Sequence, residues 1–387
     1  MLNLLDFIAA QTNGTPYKSY KYCVDAEQNL PAVAYDSTSF SFTPKRLGET
    51  DMTIRGTKNL TKIAKILQGG QPLFQYFLDG SRRVYKIDDM QYSQRLFPLV
   101  AGQIGVACCE RISRSTFRNA IIERPFVLAL PGAEANPEGK NTELFLNKLK
   151  DQLNELERLK RFGVQISKIL SYSSAKGDDD LIDRGIALIQ DEMIEREKKI
   201  VAELATRSLL GPERYLMKDG SLEYKEMQKG DYRQLSKIKN NYRWVVGVSK
   251  SFNPELMRDT KGKSNAPLIA HLPFASRTSA FMYQSDIVGT NVQFSVWYVR
   301  VRERQYTESP FAGVLKIEKL LVTDEEKENG LDSSEIDTIT ANIINERNPV
   351  CYGKDQRWAN HLYPVYLTET FIKSRYLSDL YFLNLFQ

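Results

Sequence analysis

Two short acidic corners carry most of the chemistry this chain offers. The run Phe77-Leu78-Asp79-Gly80-Ser81 closes an apolar stretch on an aspartate, and 140 positions later Tyr215-Leu216-Met217 leads into Asp219-Gly220-Ser221. A carboxylate at a strand exit is fixed by the sheet yet open to water, which is what a Mg²⁺ or Mn²⁺ ligand needs. Asp-Gly is also a favoured pair for a two-residue hairpin turn, and 82–87 suits the second arm of such a hairpin. A third carboxylate favours the metal reading. In the segment 178–206 the apolar positions Ile182, Ile186, Ile189, Met193, Ile200 and Leu204 form the single stripe of an amphipathic helix, and Glu197 fills its one long gap. A carboxylate in that row must be paired, protonated or bound to a cation. Glu192, Glu195 and Glu203 lie off the stripe and read as solvated; for Glu197 the alternative is a stripe end that snorkels outward or meets an arginine.

The elements that must position these groups follow from periodicity. Strands are expected at 73–78, 82–87 and 96–109, then a buried strand at 126–130 that stops at Pro131-Gly132. A charged helical excursion, about 142–175, carries the leucines Leu144, Leu146, Leu149, Leu153 and Leu156 or Leu159. Further strands are expected at 244–250, ending on the cation Lys250, at 292–302, and at 313–322, where Lys316 and Glu318 interrupt an apolar run. Helices are expected at about 334–346 and beyond Tyr366. Residues 1–70 read as a basic N-terminal lead that could dock a partner: a short amphipathic helix, a Ser/Thr-rich stretch at 37–43, and a helix over 57–67.

Between the second corner and Lys250, Tyr232, Arg233, Lys237, Lys239, Tyr242, Arg243 and Trp244 mix cations with aromatics. That composition lets a groove follow phosphates and stack bases, although a solvated helix face has it too.

Composition sets the limits. The 387 residues are long enough for a large core, 42% hydrophobic and 26% charged content is that of a globular chain, and a net charge of +5 is compatible with a polyanionic partner. No apolar run reaches the length of a membrane span, and the N-terminus lacks the basic start of a signal peptide. Four cysteines without metal spacing point to a reduced, cytoplasmic protein without a zinc site. With His271 and His361 as the only histidines, an oxygen-ligated metal is expected rather than an imidazole site.

Taken in order, the two Asp-Gly-Ser corners, a helix glutamate, Gly247-Val248-Ser249-Lys250, Arg277 within Ser276-Arg277-Thr278-Ser279-Ala280, Lys316-Ile317-Glu318 and Tyr363-Pro364 resemble the NurA nucleases over roughly 73–378. The resemblance implies an α/β fold with an RNase H-like mixed β-sheet flanked by helices, and a nuclease domain over 71–387. It implies a dimeric DNA nuclease dependent on Mn²⁺ or Mg²⁺ that works with a HerA-like hexameric ATPase in DNA end processing or phage defence. Asp79, Glu197 and Asp219 would be metal ligands, with Glu203 the competitor for the helix position, and Lys250 would face the scissile phosphate. Two ions could then share the carboxylates. Arg82, Arg233, Lys237, Lys239, Arg243, Arg277 and Lys316 would contact DNA. One departure stands out. Eight residues after Tyr363 the family has a histidine, and this chain has Phe371; His361 and Glu369 lie nearby but out of register. The same lineage thus admits a catalytically impaired DNA clamp or adaptor for the ATPase.

Overall fold

The computed structural model describes residues 3–17, 19, 21–24, 48–54, 56–174, 180–222, 232–258, 262–284, 292–307, 309–346, 348–349 and 358–387. Helix α1 (Leu4–Thr12) precedes the short strands β1 (Thr15–Pro16) and β2 (Tyr22–Cys23), then β3 (Thr57–Asn59) and α2 (Thr61–Leu67). Strands β4 (Phe74–Tyr92) and β5 (Arg95–Arg111) form a long hairpin, followed by β6 (Phe117–Glu123). From β7 (Phe126–Pro131) the chain crosses through α3 (Gly132–Ala135), α4 (Thr142–Asn154) and α5 (Glu157–Phe162) to β8 (Ile166–Tyr172). The long α6 (Leu181–Thr206) leads to β9 (Tyr215–Asp219), α7 (Tyr232–Tyr242), β10 (Val245–Ser249) and α8 (Ala266–Ala270). Four strands follow: β11 (Ser276–Thr278), β12 (Phe281–Gln284), β13 (Gln293–Arg300) and β14 (Val314–Leu320). Helices α9 (Asp324–Asn329), α10 (Ser333–Asn345), α11 (Tyr363–Lys373) and α12 (Asp379–Asn384) end the chain.

The strands make one mixed sheet in the order β3-β11-β13-β14-β10-β9-β4-β5-β7-β8, with β1 and β2 on β4, β6 on β5 and β12 on β13. The chain is therefore α/β, a large mixed sheet flanked by helices. At its centre β4, β9 and β10 run parallel, with Leu78 beside Lys218 and Asp219 beside Val248. Helix α6 covers one face, where Ile189, Met193 and Ile200 pack on Leu78, Val100 and Leu216. The other face carries α10 and α11 over Phe77, Met217, Val248 and Ile317, and α1, α4 and α12 over Tyr85, Leu99 and Leu128. Two glycines on β5 admit the helices. A Cβ on Gly102 would lie 2.8 Å from Ile189 Cγ2 of α6, and one on Gly105 would run into Ile372 of α11.

Several sequence expectations need correction. Asp79-Gly80 is neither a hairpin turn nor a strand end, because β4 runs through it with Asp79 opposite Ala107 and Gly80 opposite Val106. What ends there is the neighbouring strand, β9. The excursion at 142–175 is a crossover instead, since 166–172 forms β8 parallel to β7. The expected helix over 57–67 starts as a strand, β3, and turns helical only from Thr61. The lead does not stand apart. Leu4, Leu5 and Ile8 are buried in the core beneath β4 and β5, and β3 extends the sheet beside β11. The stretch 37–43, Lys45, Arg46, Arg55 and Cys351 fall outside the described residues. Among the described residues no helix is long and apolar enough to cross a membrane, and Cys23, Cys108 and Cys109 are free thiols.

Candidate metal centre

Strand parity decides which acidic groups meet. Phe77 and Met217 point into the core under α10 and α11, so two residues on Asp79 and Asp219 share that face. Helix α11 supplies the third carboxylate, Glu369. One carboxylate oxygen from each of Asp79, Asp219 and Glu369 lies within 4.8 Å of the others. Asp79 is buried at the bottom, while Asp219 and Glu369 are only partly buried.

Lys250, one residue beyond β10, brings its ammonium into this group. Its Nζ is 2.8 Å from Asp219 Oδ2 and 3.1 Å from Glu369 Oε2. His361, almost fully buried, sets Nδ1 3.4 Å from the same Nζ. Behind it the Asn360 amide Nδ2 donates to the carbonyls of Lys250 (2.7 Å) and Val314 (3.0 Å), which ties the short 3-10 turn Trp358–Asn360 to the ends of β10 and β14. Lys373, one turn after Glu369 on α11, pairs with Glu369 Oε1 at 2.7 Å.

The electrostatics are uneven. Burial, and next the Asp219 charge, push the Asp79 carboxyl well above the usual carboxylate range, against the pull of Lys250. Asp79 Oδ2 is buried without a hydrogen-bond partner. Burial would raise Glu369 as well, but Lys250 and then Lys373 hold it down at about 2. Lys250 stays charged despite burial because Asp219, Glu369 and Asp79 surround it.

Glu197 lies on the other side of the sheet. Gly80 and Lys218 face α6, and there Lys218 Nζ sits 3.1 Å from Glu197 Oε2 and 2.9 Å from the Asp219 carbonyl oxygen. Burial raises the Glu197 carboxyl and Lys218 opposes the rise. The helix glutamate therefore does not join the group of three; it is buried and paired, one of the states its place in the stripe required. A Cβ on Gly80 would run into Glu197 Oε1 and lie 3.1 Å from its Cδ. Gly80→Ala is expected to push Glu197 off Lys218 and to cost about 1–3 kcal/mol in urea unfolding. In a chain whose Glu197 is already truncated, Gly80→Ala should cost much less than it does in wild type, whereas an equal cost in both backgrounds would mean the clash lies elsewhere.

The other candidates are scattered. Glu203 is exposed and pairs with Arg207 at 2.9 Å. Lys316 pairs with Glu318 at 2.5 Å on the α6 side of the sheet. Arg82 Nε donates to Gln190 at 2.6 Å. Lys237 and Arg243 are exposed on and just after α7, Lys239 is partly buried, and the Arg233 side chain lies outside the described residues. Arg243 stacks on Trp244, its guanidinium 5.0 Å from the ring. Tyr363 opens α11 against Phe117. Arg277 is fully buried and ion-paired to Glu49 and Asp337 at 2.8 and 2.7 Å, so as it stands it presents nothing to DNA. Glu192, expected in solvent, is instead buried between Lys168 and Arg196.

The group of three fits a hard divalent cation. Its donors are all carboxylate oxygens, and Asp79 keeps a buried oxygen, Oδ2, with nothing to bond. No protein-family model matches the chain, and no curated protein matches it.

Proposed function

We propose that this chain is a divalent-metal-dependent deoxyribonuclease on an RNase H-like core, a cytoplasmic homodimer that works with a HerA-like hexameric ATPase in DNA end processing or phage defence. The observation that carries the reading is the convergence of one carboxylate oxygen each from Asp79, Asp219 and Glu369 within 4.8 Å, where Asp79 also leaves a buried Oδ2 without a partner. Its supports are the ordered motifs that resemble the NurA nucleases and the location of the group beside the carboxyl ends of β9 and β10, where parallel strands commonly hold ligands.

In this reading Asp79, Asp219 and Glu369 hold Mn²⁺ or Mg²⁺. The bound ion supplies Lewis acidity for phosphodiester hydrolysis. The chain's own part is charge and position. Lys250 carries a fixed positive charge between Asp219 and Glu369, placed to offset an incoming phosphate. Asn360 holds the Lys250 backbone, and His361 borders its ammonium.

A second reading, a DNA clamp or adaptor for the ATPase, draws on Phe371. Its ring packs against Arg375, the guanidinium 5.0 Å away, and it offers no donor where the resembled family has histidine. Labelled linear DNA with Mn²⁺, tried with the chain alone and with the partner ATPase, separates the two. Cleavage by either preparation excludes the adaptor, and retained DNA binding without cleavage in both removes the nuclease.

A further inference from the structure

Resting on the nuclease reading, we infer that the centre takes one divalent ion rather than two, and that Lys250 is its built-in second cation. Beside the adjacent parallel strands β4, β9 and β10, Glu318 is taken up on the α6 face by Lys316 and the Ser221–Leu222 corner, and strand parity divides the other four carboxylates. Glu197 is claimed on the α6 face by the buried Lys218 at 3.1 Å, which leaves Asp79, Asp219 and Glu369 on the other face. Asp219 and Glu369 each already give one oxygen to the Lys250 ammonium, at 2.8 and 3.1 Å, and the second Glu369 oxygen goes to Lys373 at 2.7 Å.

Charge and ligand supply then agree. With all three carboxylates ionised, as ligation of a cation requires, they leave one net negative charge against the ammonium groups of Lys250 and Lys373. One divalent ion reverses that to a single positive charge, suited to a phosphodiester, while a second ion would leave three positive charges beside a buried lysine. Paired ions about 3.5 to 4 Å apart also need carboxylates that bridge or add to one another. Here two of the three carboxylates are engaged by lysines, and only Asp79 holds a buried oxygen without a partner. Lys250 cannot swing away freely, because its side chain is only 8% exposed and Asn360 fastens its carbonyl.

Titration calorimetry of the full chain with Mn²⁺ alone reads the stoichiometry. Wild type is expected to bind one ion per chain and Lys250→Ala two, with Lys250→Arg restored to one. Circular dichroism checks that each variant is folded, and Lys250→Met, which keeps the aliphatic stem, replaces an alanine variant that fails to fold. Two ions in wild type, or one ion in the folded Lys250→Ala or Lys250→Met chain, would overturn the inference while leaving a metal nuclease standing. No bound ion in wild type together with no DNA cleavage would remove the nuclease reading itself, a result distinct from an active chain that holds two.

Discussion

Asp79→Asn is expected to reduce Mn²⁺-dependent DNA cleavage by about a thousandfold or more, with DNA affinity largely retained. The size follows from the ligand's place. Asp79 is the buried member of the group, and its Oδ2 has no other partner. An ion stabilises transition-state charge by several kcal/mol, and each 1.4 kcal/mol is about tenfold in rate. Asp219→Ala should lose a comparable amount and additionally release Lys250, whose shorter pairing is to Asp219 Oδ2 at 2.8 Å. Cleavage at the wild-type rate in both variants would sink the assignment.

The same substitution has a stability signature of fixed sign. The folded Asp79 carboxyl titrates above its unfolded value, so its contribution is complete below about pH 4 and is lost as pH rises through the folded titration. Glu369 acts oppositely. Held at about 2, it contributes above its unfolded range and loses that contribution as pH falls towards 2. Metal-free wild type should therefore lose stability relative to Asp79→Asn as pH rises above about 4, in paired urea titrations. Mn²⁺ at a hundredfold excess over Kd should stabilise wild type by about 2.7 kcal/mol and Asp79→Asn by much less. Parallel stability curves for the two metal-free proteins would show that the Asp79 carboxyl is not under strain.

How much of this was legible in the sequence depends on the range of the interaction. Asp219 and Lys250 were readable because a short apolar run followed by a polar residue marks a strand end, and both sit at or just past such an end. Asp79 was found for a partly mistaken reason. Ser81 to Tyr92 is as compatible with a strand as 74–78, so nothing local showed that the chain passes straight through the corner. The helix stripe correctly put Glu197 in the core, since helical period is local. Which face of the sheet that helix would cover is a tertiary fact, and it decided that Glu197 meets Lys218 and not Asp79. Glu369 was noticed only as a residue out of register with an expected histidine. Its signal was the buried row Val365, Thr368 and Ile372 on α11, which turns the neighbouring Glu369 towards Lys250 at the end of β10. The strand at 166–172 was lost to the charged helices before it, because Ser167, Lys168 and Ser171 break its apolar pattern.

Arg277 shows how a basic residue in a suggestive motif can serve the fold. Its guanidinium is forked onto Glu49, with Nη1 to Oε1 at 3.1 Å and Nη2 to Oε2 at 2.8 Å, and its Nε donates to Asp337 Oδ1 at 2.7 Å. Glu49 also accepts from the Ala280 amide and the Ser333 hydroxyl, and Asp337 from Lys58. This network joins β3, β11 and α10 to the segment that carries Glu49. Arg277→Ala leaves the fully buried Glu49 without the guanidinium that pairs it and Asp337 with Lys58 alone, and breaking such a buried pair by removing one partner costs about 3–5 kcal/mol. Guanidinium chloride unfolding should register that loss in full. Arg277→Lys should recover only a part of it, because an ammonium keeps the charge and forfeits the fork. DNA affinity of the folded fraction should match wild type. A variant that unfolds at the wild-type midpoint but no longer binds DNA would return Arg277 to the nucleic-acid surface and would mean that Glu49 and Asp337 find other partners without it.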